Sequence, residues 1–253
     1  MQNLMIYINP AKEFDSEKAD LVKVQIENSL ALGWPKKDIM LVTNFDYEYE
    51  GVKALKLPDS LFCEIHDKAS KINAIIYLLE NNLIQNGVIY WFHDFDAFQT
   101  AKITEEELGL DTVDIGLCDY GWKPFWNTGS IFFKVGAYKI FEWTRNELYG
   151  YKLKNEEVAL MRLTDRNYKN MNQRIKRMNV SYDFPACLSG MIRMAANYKI
   201  ADKPIRVMHF HPFYRGVNYL EKNCVDNPLG KPLIPKKLQK NFKKHLAKLS
   251  QNI

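Results

Sequence analysis

Four cysteines in 253 residues, Cys63, Cys118, Cys187 and Cys224, stand too far apart for a CxxC pair or a Cys/His metal pattern. That spacing excludes a disulfide scaffold and a zinc ribbon, and the four read as free thiols of a reducing compartment. No window approaches transmembrane length without charges. The first ten residues lack the basic and apolar regions of a secretory leader and read as an opening strand, so the expected location is the cytoplasm. Internal repeats and low-complexity segments are also missing. Acids are absent from residues 231 to 253, which hold seven lysines; taking those seven from the formal charge of +5 leaves the body at −2. A nucleic-acid binder would spread Lys and Arg over a body face between exposed aromatics, and this body does not, so no nucleic-acid partner is expected.

What is present is an ordinary globular composition, 47% hydrophobic and 26% charged, with a generous 13% of aromatic residues. The length allows one sizeable core. We therefore expect a single α/β domain over 1–230 and a basic amphipathic extension over 231–253. In the extension, Leu238, Phe242, Leu246 and Leu249 line one face and lysines the other. Such a helix either docks on the body with a solvated lysine face or makes peripheral contact with an anionic membrane at its inner face.

Along the body, Leu4 to Ile8 reads as a strand, and Ser16 to Leu32 as a helix stopped by Gly33 and Pro35. Asp38 to Thr43 is a second strand, Gly51 to Pro58 a weaker one, and Asp67 to Leu83 an amphipathic helix. This alternation predicts parallel βαβ pairing. Strands are also predicted at Val113 to Cys118, Ser130 to Val135, Asn179 to Phe184 and Ile205 to Phe210. Helices are predicted at Ala137 to Tyr149, Asn155 to Leu163 and Leu188 to Asn197. Thr100 to Asp111 reads as a loop or short helix.

The most informative segment is Gly87 to Ala97, where an apolar run ends in His93-Asp94-Phe95-Asp96. Residues two apart on a strand project to one side, so both aspartates face the carboxyl end of the sheet, where α/β folds bind ligands. Two hard oxygen donors there suit Mg²⁺ or Mn²⁺ with a phosphate-bearing ligand. A later strand ends in His209-Phe210-His211-Pro212, which offers imidazoles to complete the coordination. By the same strand-end rule Ile8, Asn9, Thr43 and Asn44 are candidates for a base and ribose pocket. Lys71 is either a phosphate or sugar contact or a solvated helix lysine, and His93 is grouped with the ligand-binding residues.

This order of features resembles the GT-A fold of metal-dependent nucleotide-sugar glycosyltransferases, and within it the glycogenin and bacterial lipopolysaccharide galactosyltransferase family. The matches are Asp94 and Asp96, the turn Asn127-Thr128-Gly129, the acidic helix start Glu156-Glu157, and His209-Phe210. They span Leu4 to about Gly216. The family's Lys-Pro-Trp after His-Phe is replaced here by His211-Pro212-Phe213-Tyr214-Arg215-Gly216, and its Asp-Gln by Glu156-Glu157.

The resemblance implies a Rossmann-like mixed sheet flanked by helices. It further implies a UDP- or GDP-linked sugar donor, a glycan, protein or lipid-linked acceptor, and Mn²⁺ or Mg²⁺ on Asp94, Asp96 and His209. Asn127 is then a candidate for sugar hydroxyls, and Gly129 for close backbone approach. Asp119, Glu156 and Glu157 are candidate carboxylates at the reacting centre, as base or as oxocarbenium stabiliser. Two other readings compete: a non-catalytic carbohydrate or membrane binder on this fold, and an aspartate-nucleophile phosphatase. The phosphatase motif normally follows the first strand and is trailed by Thr or Val, where this chain has Phe98.

Overall fold

The computed structural model describes residues 1–121, 124–186, 190–210 and 234–246. The first half runs β1 (Gln2–Tyr7), α1 (Ser16–Ala31), β2 (Ile39–Thr43), β3 (Glu48–Tyr49), β4 (Val52–Lys53), β5 (Leu55–Lys56), α2 (Ser70–Glu80), β6 (Tyr90–His93), β7 (Ala97–Gln99) and α3 (Glu105–Leu108). The second runs β8 (Ile115–Asp119), β9 (Trp126–Phe133), α4 (Tyr138–Tyr151), α5 (Glu156–Asp165), β10 (Ile175–Arg177), β11 (Phe184–Pro185), α6 (Gly190–Ile200), β12 (Val207–His209) and α7 (Lys236–Leu246).

Seven strands form the central sheet in the order β10-β8-β9-β6-β1-β2-β5. β1 lies parallel to β2 and β6, as the early βαβ alternation requires, while β9 runs antiparallel between β6 and β8. The sheet is therefore mixed, and both faces are covered. Leu4 and Met5, neighbours on β1, are both fully buried: Met5 packs with α1 and α7, Leu4 with α2 and α4. Burial on both faces explains why β1 reads as a continuous apolar run.

Local capping fixes the helices that matter to the site. Asp15 accepts the Lys18 amide at 2.7 Å and starts α1, and Asn155 accepts the Val158 amide at 3.0 Å and starts α5. On the buried side of α1, Gln25 donates to the carbonyls of Phe95 and Ala97, both at 2.9 Å, and Asn28 to that of Gln99 at 2.8 Å. Helix α1 thus holds the backbone that leaves the aspartate pair. A three-stranded sheet β11-β12-β7 then pairs His209 with Ala97, and the Phe210 amide bonds to the Asp96 carbonyl at 2.9 Å.

Several elements differ from the sequence reading. Asn179 to Phe184 is not a strand: Val180–Tyr182 forms a 3-10 turn, because the Asn179 side chain caps it by accepting from the Ser181 amide. Thr100 to Asp111, by contrast, contains a short helix as the reading allowed: α3, started by a Thr104/Glu107 capping box. Gly51 to Pro58 is broken into two-residue strands.

The lysine-rich helix docks by its apolar face. Leu238 and Phe242 are 1% and 3% exposed, and the Phe242 ring stands edge-on to Phe98 with centroids 4.8 Å apart. That burial is the docked arrangement of the two expected, with this apolar face spent on the body; each such side chain contributes roughly 1.5–3 kcal/mol. Lys244 and His245 secure it to Glu27 of α1 at 2.6 and 2.9 Å. Leu249, and residues 231–233 and 247–253 of the extension, lie outside the described residues. Among the described residues no helix is long and apolar enough to cross a membrane.

Candidate active site

Asp94 follows β6, Asp96 lies two residues on, and His209 ends β12. Their ligand atoms all lie within 4.8 Å of one another. Two carboxylates and one imidazole make a hard O/N set suited to Mn²⁺ or Mg²⁺. The backbone leaves room for the imidazole: a Cβ on Gly129 would stand 1.9 Å from His209 Cε1. Gly129 therefore permits close approach, as expected, but of the His209 ring. His211 lies outside the described residues.

The imidazole is fully buried, with Nδ1 2.9 Å from Asp183 Oδ1 and Nε2 3.3 Å from Asp96 Oδ1. Burial alone would lower its pKa, but Asp183 and Asp96 outweigh burial and hold it up at about 10. Burial in turn pushes Asp183 up against the pull of His209. Asp183 escaped the sequence reading because its partner lies 26 residues further on and no local motif links the two.

A β-bulge shapes the floor. β8 pairs Leu117 with Ile131 and then Cys118 with Asn127, so Thr128, Gly129 and Ser130 are extra residues on β9. They swing toward the aspartates, and the Asp94 amide donates to the Gly129 carbonyl at 2.8 Å. The Lys71 ammonium lies beneath, donating to Asp94 Oδ1 at 3.1 Å and the Thr128 carbonyl at 2.9 Å and pairing with Glu156 Oε1 at 3.1 Å. Three protons meet three acceptors. Lys71 is therefore not a solvated helix lysine: its ammonium is bound within the protein at the edge of the cleft. Burial opposes its charge, yet Asp94 and Glu156 outweigh burial and raise its pKa.

Glu156 also accepts from Thr128 Oγ1 at 2.9 Å, and Lys71 overcomes burial to keep its pKa low. Its neighbour Glu157 accepts from Tyr120 Oη at 3.0 Å and from the Thr128 amide at 3.1 Å; burial, then Glu156, raise its pKa. The two glutamates hold different ionisation tendencies side by side. Asp119 is not brought to this group. It pairs in register with Trp126 of β9, on the far side of the bulge. Its carboxylate pairs with Arg177 and caps the Gly121 amide at 2.7 Å.

A cleft of about 250 Å³ opens beside the aspartates, lined by Ile8, Asn9, Asp15, Lys18, Ser70, Lys71 and Asp96. The Asn44 side chain accepts from the Asn9 amide and donates to the Asn9 carbonyl, both at 2.9 Å, tying the ends of β1 and β2 together. Thr43 is fully buried, its hydroxyl bonded to the Phe45 carbonyl. His93 points into the sheet: Nε2 meets Asn3 Oδ1 at 2.8 Å, the ring stacks on Trp91 at 4.3 Å, and burial drops its pKa to about 4. It is a neutral core histidine rather than a ligand contact. Lys18, which no local motif marks, faces the cleft; Asp96, Glu17 and Asp15 outweigh burial and raise its pKa. Asn127 is fully buried and its Nδ2 has no partner among the described residues.

No family model and no curated protein matches the sequence. Solved structures do match, and the fold they share with this chain is the GT-A fold of glycosyltransferases. An active-site mutant of LgtC aligns with TM-score 0.55 at 11% identity over 100% of this chain and 96% of that one. The mouse xyloside xylosyltransferase 1 aligns with TM-score 0.50 at 11% identity over 82% and 96%. The glycosyltransferase GlyE of Streptococcus pneumoniae TIGR4 aligns with TM-score 0.55 at 13% identity over 99% of this chain and 62% of that one.

Proposed function

We propose that this chain is a metal-dependent glycosyltransferase that moves a sugar from a UDP- or GDP-linked donor to a glycan, protein or lipid-linked acceptor. One observation carries the reading: Asp94, Asp96 and His209 converge within 4.8 Å at the mouth of a cleft that also holds the Lys18 ammonium. A GT-A sheet presents its donor site at these strand ends, and a LgtC structure solved with donor and acceptor sugar analogs shares the fold.

In this reading Asp94, Asp96 and His209 hold Mn²⁺ or Mg²⁺. A divalent ion there supplies charge stabilisation to the departing diphosphate, in place of a general acid. Lys18 binds phosphate oxygens from the α1 side of the cleft. Lys71 keeps Glu156 ionised and holds the Asp94 carboxylate in place, so that the aspartate pair is preorganised. The Asn127 amide donates to a sugar hydroxyl. Glu157, whose pKa is raised, is the carboxyl suited to exchange a proton with the acceptor hydroxyl. The buried free thiols Cys63 and Cys118 accord with a cytoplasmic site of action.

The test is release of free sugar from a panel of nucleotide sugars with Mn²⁺ present. Turnover of one donor, abolished by chelation and by Asp96→Ala, is the expected result. Turnover that survives both sinks the metal mechanism.

A further inference from the structure

We propose that Asp183 is a positioning residue that aims His209 at the metal; the inference rests on the reading of Asp94, Asp96 and His209 as metal ligands. Asp183 and His209 are both fully buried, and Oδ1 of one lies 2.9 Å from Nδ1 of the other. The backbone around Asp183 is fixed independently of that contact. Its amide bonds to the Val180 carbonyl, Phe184 and Pro185 pair with Met208 and His209, and the Ala186 amide donates to the His209 carbonyl at 2.9 Å. The carboxylate is therefore a built anchor rather than a side chain that settles on the ring by chance.

The ring has little freedom left. Gly129 lies against Cε1, where any side chain would collide, and Asp183 occupies Nδ1. An Nδ1–H donated to Asp183 fixes the tautomer whose lone pair is on Nε2, the nitrogen turned toward Asp96. A ligating histidine needs that arrangement, and removal of such a partner typically costs 10–100-fold in metal affinity. Asp183 does not line the cleft, so its effect on the metal runs through His209.

The experiment is calorimetric titration of Mn²⁺ into the full chain and its Asp183→Leu and Asp183→Asn variants, with melting of each metal-free protein followed in parallel. Asparagine keeps an acceptor for Nδ1–H and leucine does not. Expected are a loss of about 10–100-fold for Asp183→Leu and affinity within about threefold of wild type for Asp183→Asn. Wild-type uptake of Mn²⁺ with no loss in Asp183→Leu overturns the positioning role and leaves the metal reading standing. A wild type that takes up no Mn²⁺ overturns the metal reading itself. Should Asp183→Leu not fold, imidazole ¹⁵N spectra of the Mg²⁺-saturated wild type decide: a proton on His209 Nδ1 is expected, and one on Nε2 overturns the role.

Discussion

Lys71 Nζ stands 3.1 Å from Asp94 Oδ1 and 3.1 Å from Glu156 Oε1, so one buried ammonium ties a carboxylate of the aspartate pair to the start of α5. Lys71→Met leaves Glu156, itself 5% exposed at the side chain, without its counterion. Breaking such a buried pair from one side costs about 3–5 kcal/mol. Urea unfolding of the variant should show that loss; a cost below about 1 kcal/mol would mean that the lysine is not the keystone of this cluster.

Gly129→Ala should act on His209 without touching a ligand atom. The added Cβ would stand 1.9 Å from the imidazole, and backbone paired to Asp94 cannot easily retreat. Overpacking of this kind costs about 1–3 kcal/mol, and the displaced ring should weaken Mn²⁺ binding at least about tenfold. Calorimetry against wild type checks it, and unchanged affinity would place the metal elsewhere.

Lys18→Met should separate phosphate recognition from base recognition. Charge-assisted hydrogen bonds contribute about 1.5–3 kcal/mol, so affinity for a nucleoside diphosphate should fall about 10–100-fold while that for the free nucleoside stays level. Equal losses for both ligands would assign Lys18 a structural role.

The docking of α7 carries a pH signature. Burial would raise the Glu27 carboxyl, but hydrogen bonds from Lys244, Tyr49 and His245 outweigh it and hold it down at about 2, against an ordinary 4.5. A depressed carboxyl contributes stability that is complete above about pH 4.5 and is lost as pH falls through about 2. With Lys244 58% exposed and screened, the contribution is about 1–2 kcal/mol. Unfolding free energies of wild type and Glu27→Gln from urea titration should differ by that amount at pH 7 and converge as pH falls from about 4.5 toward 2. A difference that persists undiminished to about pH 2 would contradict the ion-pair account.

Sequence reading reached those parts of the site that follow from strand ends. The apolar run into Asp94 and Asp96, the His209 strand and the Asn127-Thr128-Gly129 segment are local patterns, and the fold brings them together, the last as a bulged part of β9 rather than a turn. Tertiary pairing was not legible. Nothing local to Lys71 says that its protons are consumed by Asp94, Glu156 and Thr128. Helix spacing gives no sign that Lys18 faces Asp96, and Asp183 sits beside a turn set by Asn179. His93 shows the opposite error: adjacency to Asp94 suggested a ligand contact, but strand alternation sends its ring to the other face, onto Trp91. Asp119 likewise stands at a strand end, yet its carboxylate is taken up by Arg177 and the Gly121 amide.

The central claim is that Asp94, Asp96 and His209 join a divalent metal to a nucleoside diphosphate. Calorimetric titration of UDP and GDP into wild type and Asp96→Ala, each with Mn²⁺ and with chelator, tests it most directly. The account predicts that one of the two nucleotides binds wild type at least about tenfold more tightly with Mn²⁺, and that Asp96→Ala removes this gain. Binding that ignores both the metal and the substitution would contradict it.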